Sequence, residues 1–206
     1  MKKICALLFL LPIMAFSAQW ESFPLRENGT ISVWTVAGPL PNGMAREHDQ
    51  NCFGYFKDYL IEMGGESQAL PKEMEMIEVE NGDTVTWENA FSEKSGLLDF
   101  VDIFEVEKES PGVAYAFCQL ISPIEQKVIL KIRSNDGVRV WLNQELIHDH
   151  HVGRTIDSQE DRIAVLLKKG VNPLLAKVDQ GGGAWGLVVK VSGENGRPAK
   201  EVSSSI

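Results

Sequence analysis

The sequence predicts an all-β protein folded as an antiparallel sandwich, and three observations predict it. From Ile31 onward apolar residues recur at spacing two in short runs, the pattern of strands with one buried face. Gly, Asn, Asp or Pro breaks each run, which supplies the turns. The chain has 206 residues, 44% hydrophobic and 24% charged, enough for one sizeable core and short for two. Its 18 Gly and 9 Pro are scattered singly, a composition that excludes disorder, collagen and coiled coil. Acids outnumber bases 29 to 20 for a net charge of -9, and no basic run beyond the first three residues is longer than the Lys168-Lys169 pair. Phosphate backbones and anionic lipid surfaces are therefore poor partners, and neither nucleic acid nor a membrane surface is expected.

Taken in order, the chain opens on an address. Lys2 and Lys3 precede an apolar run from Ile4 to Leu11, and Ala15, Ser17 and Ala18 follow Pro12. This predicts a secretory signal peptide over 1–17, cut after Ser17, and a secreted or periplasmic protein with no membrane span after cleavage. The apolar stretch is shorter than the roughly 20 residues a bilayer needs. A single domain is expected over 18–192, with a polar, Ser-rich tail over 193–206 that frays. Strands are expected at 31–37, 75–79, 84–87, 100–106, 113–120, 127–133, 137–142, 145–148, 162–167, 173–179 and 185–192. One short helix is expected over 54–63, because Phe56, Tyr59, Leu60 and Met63 share a face and Gly64-Gly65 supplies a left-handed stop. Val128, Leu130 and Ile132 alternate into Ser134-Asn135-Asp136-Gly137, and Val138, Val140 and Leu142 alternate out, which reads as a central hairpin. Cys52 and Cys118 either form a disulfide, worth about 4 kcal/mol for so long a loop, or leave Cys118 as a small buried apolar residue.

Motifs that carry chemistry are few. Gly181 to Gly186 has Gly-x-Gly-x-x-Gly spacing, yet a strand rather than a helix follows it, so no dinucleotide is expected there. Ser67 lacks the strand-turn-helix that exposes a nucleophile. His148-Asp149-His150-His151 gathers three imidazoles and a carboxylate, and His148 and His150 share one face of a strand, as a pair of zinc ligands would. Asp136, in its turn, is the candidate for a structural calcium ion, and no other cofactor is expected. Trp141 and Trp185 are the candidate exposed aromatic platforms. With Asn143, His148, His150, Arg154 and Gln180 they form the expected carbohydrate-binding set at the hairpin end.

At the hairpin a family resemblance becomes specific. The run Ser134 to Asn143, the run Gly170 to Val178 and the Trp185-Gly186 turn look like the galactose-binding-domain-like modules of secreted bacterial proteins. The stretch Trp34 to Leu40 is similar to their first strand. The resemblance covers most of the chain after the signal and implies a jelly-roll β-sandwich that serves as a carbohydrate-binding or accessory module beside glycoside hydrolases. Asn135, Gln144 and Val171 depart from the family pattern, where Asp, Gly and an aromatic are common. The matching residues are mostly structural turns, so ligand specificity does not carry over.

Three functions compete. The leading expectation is a non-catalytic module that binds a glycan through loop aromatics and polar side chains, partnering glycans or glycan-degrading enzymes. The second is a structural adaptor contacting another envelope protein, and the third is a metal-dependent enzyme built on His148 to His151.

Overall fold

Side-chain alternation sorts the strands into two facing layers. The computed structural model describes residues 21–43, 53–79 and 82–206; the expected signal peptide and Cys52 lie outside them. In chain order the elements are β1 (Ser22–Pro24), β2 (Val33–Leu40), α1 (Phe53–Phe56), a 3-10 turn (Ile61–Met63), β3 (Met76–Glu78), β4 (Thr84–Thr86), β5 (Glu88–Phe91), β6 (Leu98–Asp99) and α2 (Phe100–Ile103). Then follow β7 (Gly112–Ser122), β8 (Gln126–Asn135), β9 (Val138–Leu142), β10 (Glu145–His150), β11 (Asp161–Leu167), β12 (Gly170–Gln180), β13 (Gly186–Gly193) and β14 (Ser203–Ser205). Among the described residues, eight strands form one sheet in the order β1-β14-β7-β12-β9-β10, with β2 beside β7 and β5 beside β2. Four strands, β11-β8-β13-β6, form the facing sheet, and β3 and β4 make a separate pair. The pairings are antiparallel, so the fold is the expected all-β, jelly-roll type of sandwich. No helix among the described residues is long and apolar enough to cross a membrane.

The main core lies between the layers. Ala116, Cys118, Val140 and Ala176 from the larger sheet meet Val128, Leu130, Ile132 and Val189 from the smaller one. Cys118 is a free thiol buried there, and desolvation pushes its pKa well above the ordinary thiol value. The larger sheet is covered on its outer face too, by the segment that carries α1, β3 and β4. Tyr59, Leu60, Ile77 and Trp87 from that segment pack on Tyr115, Phe117, Trp141 and Leu175. Strands β7 and β12 are consequently buried on both faces.

A polar knot pins this cover down. Lys177, fully buried, reaches Glu66 Oε1 at 2.7 Å and donates to the Lys57 carbonyl at 2.6 Å. The Tyr115 hydroxyl donates to the same Glu66 oxygen at 2.5 Å, and Arg139 lies 3.5 Å from the other. Burial lowers the Lys177 pKa, and the Glu66 carboxylate opposes that shift.

Four expectations need correction. Strands β8 and β9 do not form a hairpin: β8 pairs with β11 and β13, whereas β9 pairs with β10 and β12. The segment Ser134 to Gly137 crosses between layers, and the true hairpin is β9 to β10, turned by Asn143 and Gln144 at φ 52° and 75°. The helix expected over 54–63 is reduced to one turn, α1, and a 3-10 turn. Residues 100–103 form the helical turn α2 in place of a strand, because the Asp99 side chain accepts from the backbone of Val101 and Asp102 as an N-cap. The tail does not fray: β14 pairs with both β1 and β7, and Ser204 and Ser205 are buried.

Candidate functional site

The expected binding set does not converge. Trp185 is buried, its ring 5.3 Å from Phe100 and 5.8 Å from Phe104, so the core holds it. Trp141 is 5% exposed beneath the cover segment, with the Arg139 guanidinium 5.2 Å above its ring. Neither ring is the exposed platform expected from sequence. Gln180 is buried and donates to the carbonyls of Lys108 and Ser110, both at 3.1 Å. Asn143 forms the hairpin turn and donates to Asn172 Oδ1 at 3.0 Å. The Asp136 carboxylate, the expected calcium ligand, accepts from the backbone N–H groups of Arg154 at 3.0 Å and Gly181 at 3.1 Å and ties their loops together.

His148, His150 and Arg154 do come together, on a residue the sequence reading missed. Strand β10 ends the larger sheet and β11 ends the smaller, so their inward side chains meet at one edge of the sandwich. Asp161, the first residue of β11, has the parity of the core-packed Ile163 and Val165. His148 Nε2 lies 3.0 Å from its Oδ2, His150 Nδ1 lies 3.2 Å from its Oδ1, and Arg154 donates to Oδ2 at 2.7 Å. Desolvation alone would raise the Asp161 pKa, but hydrogen bonds from Arg154 and His148 and the Arg154 charge outweigh it and hold the value at about 2. The two imidazoles and the carboxylate have the ligand types and proximity for a metal ion. The Arg154 guanidinium already occupies the carboxylate, and its charge opposes a second cation. The cluster is therefore an ion-paired clasp across the sandwich edge.

Beside the clasp lies an exposed ring, also missed. Phe56 is 60% exposed at the end of α1, and its ring meets His151 edge-on at 5.2 Å. Tyr55 completes a three-ring cluster, stacked 4.2 Å from the His151 ring and edge-on to Phe56 at 5.0 Å. The Tyr55 hydroxyl donates to Asp149 Oδ1 at 2.6 Å, and Arg139 Nε donates to Asp149 Oδ2 at 3.1 Å. Burial, reinforced by Asp149, pushes the Tyr55 pKa well above the ordinary phenol value, so the hydroxyl stays a donor. His150 and Asp149 remain 43% and 44% exposed at the side chain. The result is an apolar platform next to fixed acceptors and imidazoles. Periodicity had assigned Phe56 to a buried helix face; the helix stops after one turn and leaves the ring outside.

No protein-family model matches the chain, and no curated protein matches it. Among solved structures, a β-glucosidase from Kluyveromyces marxianus aligns at 13% identity and TM-score 0.47, over 84% of this chain and 19% of that one. The epithelial adhesin 9 A domain from Candida glabrata, subtype-switched and bound to β-lactose, aligns at 7% identity and TM-score 0.45, over 89% and 88%. A PA14 sugar-binding domain from an RTX adhesin aligns at 15% identity and TM-score 0.38, over 46% and 52%. The chain spans 11% to 19% of the length of the β-glucosidase chains it matches. Likeness this distant carries no conclusion about ligand or activity.

Proposed function

We propose that the protein is a non-catalytic, secreted or periplasmic β-sandwich that binds carbohydrate at the end of β10. The observation that supports this reading is the exposed Phe56 ring held against His151, with Asp149 and His150 beside it. A sugar ring presents an apolar face and a rim of hydroxyls. An aromatic platform takes the face, and oriented carboxylate and imidazole groups take the rim. The platform is preorganised, because Tyr55 is buried beneath it and anchored through Asp149 to Arg139.

Calorimetry of the wild type and Phe56→Ala against a glycan panel tests the reading. The expected loss is about 1–3 kcal/mol of binding, with the melting temperature nearly unchanged because the ring is exposed. Binding of no glycan by the wild type, or equal binding by Phe56→Ala, overturns it.

A further inference from the structure

The outer face of the smaller sheet carries a concentration of positive charge that the sequence hides. Its three long strands point Lys127, Lys131 and Arg133 (β8), Arg162 (β11) and Lys190 (β13) away from the core, because Val128, Leu130, Ile132, Ile163 and Val189 take the inward parity. Register then sets three of them side by side: Arg162 is opposite Lys131, and Lys131 is opposite Lys190. Neighbouring strands lie about 4.8 Å apart, and like charges directly opposite one another destabilise a sheet. Arg162 has Glu160 at 3.3 Å, but among the described residues no ion pair offsets Lys131 or Lys190. In a chain with a net charge of -9, no outward residue on these three strands is acidic.

The adjoining row is apolar at two of its three positions, with Ser192 completing it opposite Ile129. Ala164 is opposite Ile129, and with the half-exposed Leu166 they floor a groove of about 550 Å³ that Lys127 and Glu194 flank. That volume is in the range of small-ligand sites. A cationic row parallel to a largely apolar one matches a chain of sugar rings bearing carboxylates, each ring offering an apolar face and an anion.

We infer that the outer face of the four-stranded sheet docks a carboxylated polysaccharide of the polyuronate type, its carboxylates on Arg162, Lys131 and Lys190 and its ring faces on Ile129, Ala164 and Leu166. The face is separate from the Phe56 platform and stands whether or not that platform binds sugar. Nucleic acid fits it less well, because the acidic chain as a whole repels a polymer with a charge every ~1.7 Å of duplex.

Affinity electrophoresis through gels containing polygalacturonate tests the inference, with fully methyl-esterified polygalacturonate and poly-L-glutamate as parallel gels. Polygalacturonate retards the wild type, and the esterified polymer, with the same backbone and no charge, binds at least tenfold more weakly. Lys131→Gln/Lys190→Gln loses at least tenfold, and its retardation depends less steeply on salt. Lys72→Gln, an exposed charge on the cover segment, retains wild-type binding, and unchanged melting temperatures certify the folds. Equal binding of the esterified polymer, equal binding by the double variant, poly-L-glutamate binding as tightly as polygalacturonate, or no retardation at all overturns the inference.

Discussion

Single residues decide what the edge site is. Asp161 is a carboxylate in an inward row, and three cationic or imidazole neighbours answer the burial of its charge. Its pKa is depressed, from 3.8 to about 2, so its stabilising contribution is present above the ordinary carboxylate value and fades as pH falls through the depressed one. Asp161→Asn is expected to lower stability by about 1–3 kcal/mol at neutral pH, because Arg154 loses its charged acceptor. Urea melts of the two proteins should converge between about pH 4 and pH 2; a gap that stays constant there contradicts the clasp. Lys177 is the second decisive residue. Lys177→Met leaves Glu66 buried without its closest cation and is expected to cost about 3–5 kcal/mol in a denaturant melt. Composition shows that five tryptophans are present, but not which are covered: Trp141 lies on a face that would be solvated in a bare sandwich, and only the distant segment around Tyr59 buries it.

At the scale of elements, the existence of β2 and of β7 to β13 was legible, whereas the short strands β1, β5 and β14 and the strand pairing were not. Alternation records which residues face a core. In β8 and β9 it is identical for a hairpin and for a crossing between layers, since both strands turn Val128 to Ile132 and Val138 to Leu142 toward the same interior. What separates the two is the crossing segment itself. The Ser134 hydroxyl donates to the Asp136 carbonyl at 2.6 Å, the Asp136 N–H donates to the Asp179 carbonyl at 2.9 Å, and a Cβ on Gly137 would lie 2.5 Å from Asp179 Oδ1. Gly137 is needed for space and for no other reason. Gly137→Ala is expected to destabilise by about 1–3 kcal/mol through overpacking; a thermal melt equal to that of the wild type would show that the crossing tolerates a side chain. The short helix and the polar tail failed for a related reason. Periodicity in Gly54 to Met63 reflects packing on a sheet rather than helix, and Ser203 to Ser205, polar throughout, are strand because β1 and β7 supply partners on both sides.

At the scale of the whole molecule, charge is segregated by layer. The cover segment over the larger sheet is rich in acids, Asp58, Glu62, Glu66, Glu73, Glu75 and Glu78 among them, and the outer face of the smaller sheet is cationic. A net charge of -9 averages these two faces and conceals both. The candidate site was likewise half visible: His148, His150 and Arg154 stand out in the chain, whereas Phe56 and Asp161 join them only through the meeting of two sheet edges and one truncated helix. The central claim, carbohydrate binding at the end of β10, is tested most directly by titrating the isotope-labelled protein with a bound panel glycan and mapping amide shifts by NMR. The expected shifts cluster at Phe56 and at His148 to Arg154, with little change at the buried Trp141 and Trp185; shifts confined to other surfaces, or none at saturating glycan, contradict it.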